Sequence, residues 1–299
     1  MISTVHKKQQ SIGQLAIFAT AVLWSTSGLF IKLLDWNPVL ITGARSLVAG
    51  IFILIIRLIF PPPKEARKYP VLLWAAAICC ALTMFAFVIA NKITSSVNAI
   101  MLQYSAPVWA ALLGWLLIKE KPHWEHWGAL VLVIGGLLLF FRGGLGKGRL
   151  LGDILAVLSG ILLAAHSVFL RMMKDGNPRD AMLLAHVLSA VIGIPFFLIY
   201  PPVVTVSSVM VVFFMGTLQL GLTSLLFTYG LKRVRAMEAM LIASAEPILN
   251  PVWVLAITGE KPSPEALAGG AIIIVAVVAS SMIGKRREER ETEAGAGLS

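Results

Sequence analysis

Residues 94–122 read TSSVNAIMLQYSAPVWAALLGWLLIKEKP, and residues 237–262 read MEAMLIASAEPILNPVWVLAITGEKP. In each stretch an apolar run carries a proline, Pro107 or Pro247, 13 residues before a glutamate, Glu120 or Glu260, and closes on Glu-Lys-Pro. The correspondence extends outward at a constant offset of 140: Leu82-Thr83, Phe87, Lys92 and Ala99 recur as Leu222-Thr223, Phe227, Lys232 and Ala239, and Asn37-Pro38 recurs as Asn177-Pro178. Two copies of one unit are the economical explanation. The Glu-Lys-Pro turns just past the helix ends fit ordinary turn chemistry and are not assigned to a site.

The medium around the chain follows from composition. Of 299 residues, 58% are hydrophobic and 13% charged, with a mean hydropathy of +0.86. A soluble domain carries roughly 25% charged residues, so a solvated enzyme surface is excluded. A bilayer core about 30 Å thick needs about 20 apolar residues as helix. Such runs occupy residues 12–34, 38–60, 70–90, 95–118, 124–141, 152–170, 181–200, 206–229, 236–258 and 265–284. The expected fold is an all-α polytopic membrane protein of ten transmembrane helices. A β-barrel would show alternating segments of about 10 residues, which are lacking. Pro38 and Pro70 suit first-turn positions, Pro61–Pro63 end a helix, and glycines between 143 and 148 separate the halves. The first run is too long for a signal-peptide core and reads as a retained helix.

Five helices per unit force the second copy into the opposite orientation. The expected domains are a first five-helix repeat over residues 1–142, a second, inverted one over 143–284, and a cytoplasmic tail over 285–299 whose composition predicts disorder. The net charge of +10 is distributed to match. Eighteen Lys and Arg fall in one set of alternate loops and six in the other, with Arg45 left inside a span. The positive-inside rule then makes both termini cytoplasmic, and the basic excess reads as topology, with no nucleic-acid partner. The lipid bilayer is the expected environment.

Polar residues deep in the spans are the candidate site. Glu246 lies roughly 15 Å in from its helix end at 1.5 Å rise per residue, where a carboxylate must face the bundle interior. Pro247 and Pro251 flank Asn250 on the same helix and are expected to kink or open it. Arg45, about 10 Å from its helix end, fits three roles: pairing with Glu246, binding the carboxylate of a zwitterion, or snorkelling outward. Asn98, Gln103 and Tyr104 make the fourth span polar and Gln219 the eighth, either lining a path or bonding across helices. His166 and His186 fit proton transfer or interhelical hydrogen bonds. Trp24, beside Ser25, Thr26 and Ser27, fits stacking on a substrate or interior packing, its indole using a neighbouring hydroxyl. The cysteines are the adjacent pair Cys79 and Cys80, so no spaced metal cluster or disulfide framework is present and no cofactor is expected. Gly128, Gly135, Gly136, Gly269 and Gly270 permit close helix contact.

The two quoted stretches, and nearly all ten spans with them, resemble the EamA branch of the drug/metabolite transporter superfamily. Glu246, Pro247 and Asn250 match that family's EPxxNP pattern, and Glu120 and Glu260 match its paired turns, with Lys119 standing where glycine is common. The resemblance implies a bacterial inner-membrane secondary transporter, driven in some members by proton exchange, that exports amino acids or amphipathic metabolites. Trp24, Arg45, Asn98, Gln103, Tyr104, His166, Gln219, Glu246 and Asn250 are the expected substrate contacts. A sugar-phosphate or nucleotide-sugar exchanger is the nearest alternative, and an intramembrane enzyme using His166, Glu246 or Cys80 the alternative of another class. Monomer and homodimer both stay open.

Overall fold

The structure, a computed structural model, describes residues 2–61, 69–119, 124–144, 150–173, 176–231, 233, 242–243, 245–259 and 264–296. The regular elements among the described residues are all helices: α1 (Ile2–Ser25), α2 (Ser27–Leu33), α3 (Pro38–Ile59), α4 (Pro70–Ile93), α5 (Ser96–Gln103), α6 (Ala106–Ile118), α7 (Trp124–Gly144), α8 (Leu150–Met172), α9 (Pro178–Ile199), α10 (Val206–Phe214), a π-helical segment (Met215–Leu222), α11 (Thr223–Leu231), α12 (Ala245–Thr258) and α13 (Pro264–Ala296). Seven segments are long and apolar enough to cross a membrane: Gln9–Leu33, Pro38–Ile59, Pro70–Ile93, Ser96–Ile118, Leu150–Met172, Pro178–Ile199 and Val206–Gly230. Three shorter apolar stretches, Trp127–Gly136, Ala245–Ile257 and Leu267–Ala276, fall on the remaining expected spans. The protein is an all-α, multi-pass membrane protein. The Glu120-Lys121-Pro122 and Glu260-Lys261-Pro262 turns lie outside the described residues.

Individual helices are inside-out relative to a soluble fold. α3 buries Thr42, Arg45 and Ser46 while exposing Leu47, Ile51, Leu54, Ile55 and Leu58. Exposed residues four, seven and eleven apart form one stripe, which only lipid makes favourable. Pro38, Pro70 and Pro178 each occupy a first-turn position, where the missing amide costs nothing.

Helices approach closely where side chains vanish. A Cβ on Gly43 would lie 2.6 Å from the Gly193 Cα, and one on Gly193 would lie 2.5 Å from the Gly43 Cα, so α3 and α9 touch backbone to backbone. Further along, Gly50 faces His186 and Arg57 Nε stands 2.7 Å from Asp180 Oδ1, which makes the two helices antiparallel. Of the glycines expected to pack, Gly136 meets Ile273 and Gly269 and Gly270 meets Met101, whereas Gly128 and Gly135 have nothing within 4 Å.

Three spans expected as continuous helices are interrupted. In the first, Ser25 Oγ and Thr26 Oγ1 donate to Val22 O (2.7 Å) and Leu23 O (2.7 Å), and α1 gives way to α2 at Thr26. Hydroxyls that compete for helical carbonyls loosen a turn. In the fourth, α5 ends at Tyr104 just before Pro107, and Ser105 Oγ donates to Leu102 O (2.8 Å). In the eighth, the wider π turns place Gly216 and Gly221 against Val48 and Phe52 of α3.

Two ends also differ from expectation. α1 starts at Ile2 rather than near residue 12, and α13 continues to Ala296 through the tail expected to be disordered. The tail sequence explains the latter: Lys285 to Glu289 and Arg287 to Glu291 are opposite charges four apart, a spacing that supports a solvated helix.

Lys119, which ends α6, adopts φ 60° and ψ 20°, and Gly259, 140 residues later, adopts φ 70°. Left-handed backbone favours glycine, so the departure from the common glycine carries strain at Lys119. Lys119→Gly is expected to stabilise the protein by about 1 kcal/mol. Thermal unfolding should show the midpoint rising by roughly 2–4 °C.

Candidate functional site

Glu246 begins the site. It sits in the first turn of α12 with 6% of its surface exposed, and its Oε2 lies 2.9 Å from the Tyr104 hydroxyl. That hydroxyl also lies 2.7 Å from the Ala243 carbonyl oxygen. A phenol has one proton to donate. When it donates to Ala243, the contact with Glu246 is a hydrogen bond only if the carboxyl carries a proton and donates to the phenolic oxygen. When Glu246 is a carboxylate, the phenol turns to it and releases Ala243. The Tyr104 hydroxyl thus stands between two acceptors where the broken helix α5–α6 meets α12.

One turn further along α12, Asn250 Nδ2 donates to the Ser25 carbonyl (2.8 Å), and a turn beyond that Trp253 Nε1 donates to Ser25 Oγ (3.0 Å). The opposite side of the same break is held from the π segment and α11. Gln219 Nε2 donates to Thr26 Oγ1 (2.9 Å), and Trp24 Nε1 donates to Thr223 Oγ1 (3.0 Å) while its ring lies 5.2 Å from that of Phe227 at a 45° tilt. The interruption of the first span is thus a polar junction buried between two helices. A Cβ on Gly28 would meet Asn250 Nδ2 at 2.9 Å, so α2 needs glycine there to let Asn250 in. The Oε1 of Gln219 and the Oδ1 of Asn250, both fully buried, have no hydrogen-bond partner among the described residues.

The structure therefore brings together Trp24, Gln219, Glu246, Asn250 and Tyr104. Other expected contacts lie apart. Asn98 and Gln103 reach α8, with Asn98 Nδ2 3.4 Å from Asp153 Oδ1 and Gln103 Nε2 3.1 Å from Ser159 Oγ. His166 Nδ1 lies 2.8 Å from the Ala76 carbonyl and joins α8 to α4. Of the three roles open to Arg45, pairing with Glu246 is not seen among the described residues. Arg45 is 2% exposed on α3, and among the described residues neither its Nε nor the two ring nitrogens of the buried His186 on α9 have a hydrogen-bond partner. The hydropathy profile gives the depth of both charges but not the direction each faces around its helix.

Two participants were not singled out from the sequence. Asp153, fully buried at the start of α8, accepts from Thr94 Oγ1 at 2.7 Å and ties the end of α4 to α8; its signal was an acid just inside the sixth apolar run. Trp253, a weaker candidate in the sequence than Trp24, reaches the α1–α2 break. Among the described residues no group of three His, Cys, Asp or Glu converges to hold a metal ion.

Glu246, the unpaired acceptors of Gln219 and Asn250, and the interrupted helices meet in one buried polar junction. The family assignment comes from comparison: the model of the EamA-like transporter family matches residues 11–142 and 150–282. The chain belongs to this family. It is accordingly a secondary transporter, and an intramembrane enzyme is set aside. The EamA-like chain is 25% identical over 294 residues to the uncharacterized transporter YwfM of Bacillus subtilis (strain 168), covering 94% of this chain and 97% of that protein. An uncharacterized transporter of Archaeoglobus fulgidus is 25% identical, with 89% and 95% covered. A solved crystal structure superposes with a TM-score of 0.68 at 20% identity, covering 93% of this chain and 99% of its own. That likeness concerns the fold alone.

Proposed function

We propose that this EamA-like protein exports small zwitterionic or amphipathic metabolites, amino acids foremost, across a bacterial inner membrane by alternating access coupled to protons. The observation that carries the reading is the Tyr104–Glu246–Ala243 arrangement, in which a buried carboxyl exchanges a proton and a helix contact together. Around it, the unfilled acceptors of Gln219 and Asn250 suit an ammonium group, and Trp24 offers an aromatic face. Arg45 and His186 hold unfilled donor capacity suited to a carboxylate. A sugar phosphate needs several cations around its dianion, and Arg45 is the one basic residue deep in the described spans.

Alternating access rests on ten helices in two inverted repeats, 1–142 and 143–284, with both termini and the tail from residue 285 cytoplasmic. Antiparallel packing of α3 on α9 supports the inversion, because the two start at Pro38 and Pro178, 140 residues apart. Exchange of conformation between such halves exposes one central site to each side in turn.

A thermal-unfolding screen of the purified protein tests the substrate class. A ligand that prefers the native state stabilises it by about 2.7 kcal/mol at 100 times its Kd and so raises the midpoint. Amino acids are expected to stabilise the protein, and Glu246→Gln to weaken that response. Stabilisation by sugar phosphates or nucleotide sugars, with none by amino acids, replaces this reading with the exchanger.

A further inference from the structure

Away from the central site, the last turns of α3, the start of α9 and the length of α11 enclose a groove of about 290 Å³. Its lining is Ile56, Phe60, Arg179, Leu225, Leu226 and Tyr229. The polar groups are confined to one end. Arg57, next to Ile56, is neutralised by Asp180 at 2.7 Å. Arg233 donates from Nη1 to the Tyr229 carbonyl (3.1 Å), and its guanidinium lies 3.5 Å from the centre of the Tyr229 ring. Arg179 has no ion-pair partner among the described residues. Two arginines of the rim, Arg179 and Arg233, thus have no acidic partner among the described residues.

The apolar part runs inward from that rim. Ile56 lies one turn before Phe60 on α3, and Leu225 one turn before Tyr229 on α11. The mouth is on the perimeter, where Leu58, Ile59 and Phe60 are 73%, 60% and 62% exposed. Basic at the helix ends and greasy toward mid-membrane, the groove repeats the polarity of a phospholipid. A free metabolite would gain nothing from the buried half.

We propose that this groove binds an anionic phospholipid, with an acyl chain along Ile56, Phe60, Leu225 and Leu226 and the phosphodiester between Arg179 and Arg233. Basic pockets between helix ends at an anionic leaflet capture such headgroups. By the positive-inside count these loops face the cytoplasm, the anionic side. The bound lipid bridges α3, α9 and α11 and holds their ends together.

Native mass spectrometry and thermal unfolding of the full chain test this with phosphatidylglycerol, phosphatidylcholine of the same chains, and inorganic phosphate. Phosphatidylglycerol is expected to be retained and to raise the unfolding midpoint; the other two are not. Each arginine removed should weaken phosphatidylglycerol about fivefold, so Arg179→Gln loses about fivefold and Arg179→Gln with Arg233→Gln about 25-fold. Arg179→Lys should keep most of the binding. Equal retention of phosphatidylcholine makes the groove an ordinary lipid contact and overturns the proposal. Stabilisation by phosphate equal to that by phosphatidylglycerol makes it a free-anion site and also overturns it. The wild-type lipid preference decides the matter even where the double variant does not fold.

Discussion

Glu246→Gln is expected to lower proton-driven net flux roughly 10- to 100-fold and to abolish its dependence on pH between 5.5 and 8.5, on protein that remains folded. The substitution keeps size and hydrogen-bonding capacity: an amide oxygen still accepts from the Tyr104 hydroxyl, and the amide nitrogen still donates. What it removes is ionisation. A charge-assisted hydrogen bond carries about 1.5–3 kcal/mol, which sets the magnitude. Without the charged state, Tyr104 has no reason to leave the Ala243 carbonyl, 2.7 Å away, and α5 and α12 stay locked in one arrangement. Tyr104→Phe separates the causes. It removes the phenol and leaves the carboxyl, so pH dependence should persist while the rate falls. Flux in Glu246→Gln identical to wild type across that pH range removes Glu246 from the proton path.

Gly193→Val is expected to be the most damaging single change to stability. A Cβ there would sit 2.5 Å from the Gly43 Cα and 3.4 Å from the Gly43 nitrogen. Both obstacles are backbone, so no side chain can rotate away, and α3 and α9 must separate. Overpacking costs about 1–3 kcal/mol where side chains can adjust. The upper end of that range applies here, with a fall in the unfolding midpoint of roughly 6–12 °C. Gly135→Ala is the matched control, since a Cβ on Gly135 meets nothing within 4 Å. It should equal or exceed wild type, because alanine favours the helix. Equal midpoints for Gly193→Val and wild type would show that α3 and α9 do not cross at this contact.

Apolar runs and prolines made the helices legible. Pro38, Pro70 and Pro178 open helices where a missing amide is harmless. Glu246 and Asn250 were legible for a different reason, since polar groups at mid-membrane stand out against hydrocarbon. The interruption at Thr26 was hidden, because Ser25-Thr26-Ser27 reads equally as a polar face of one continuous helix. The groups that the opened turn bonds to are distant, Asn250 and Gln219, which reach it across 225 and 193 positions of sequence. The π segment was hidden likewise, its glycines serving contacts on α3. Depth was predictable and azimuth was not, which is why the sequence left the role of Arg45 open among pairing with Glu246, substrate contact and snorkelling.

The central claim is that a small zwitterion crosses the membrane through the Glu246 junction. Counterflow in proteoliposomes tests it most directly, with purified protein, a labelled amino acid outside and an excess of the same compound inside. Saturable accumulation of label is expected in wild type, together with a rate that responds to an imposed pH gradient and a loss of that response in Glu246→Gln. Absence of accumulation for every amino acid in a broad panel, from protein shown to be folded, would contradict the account.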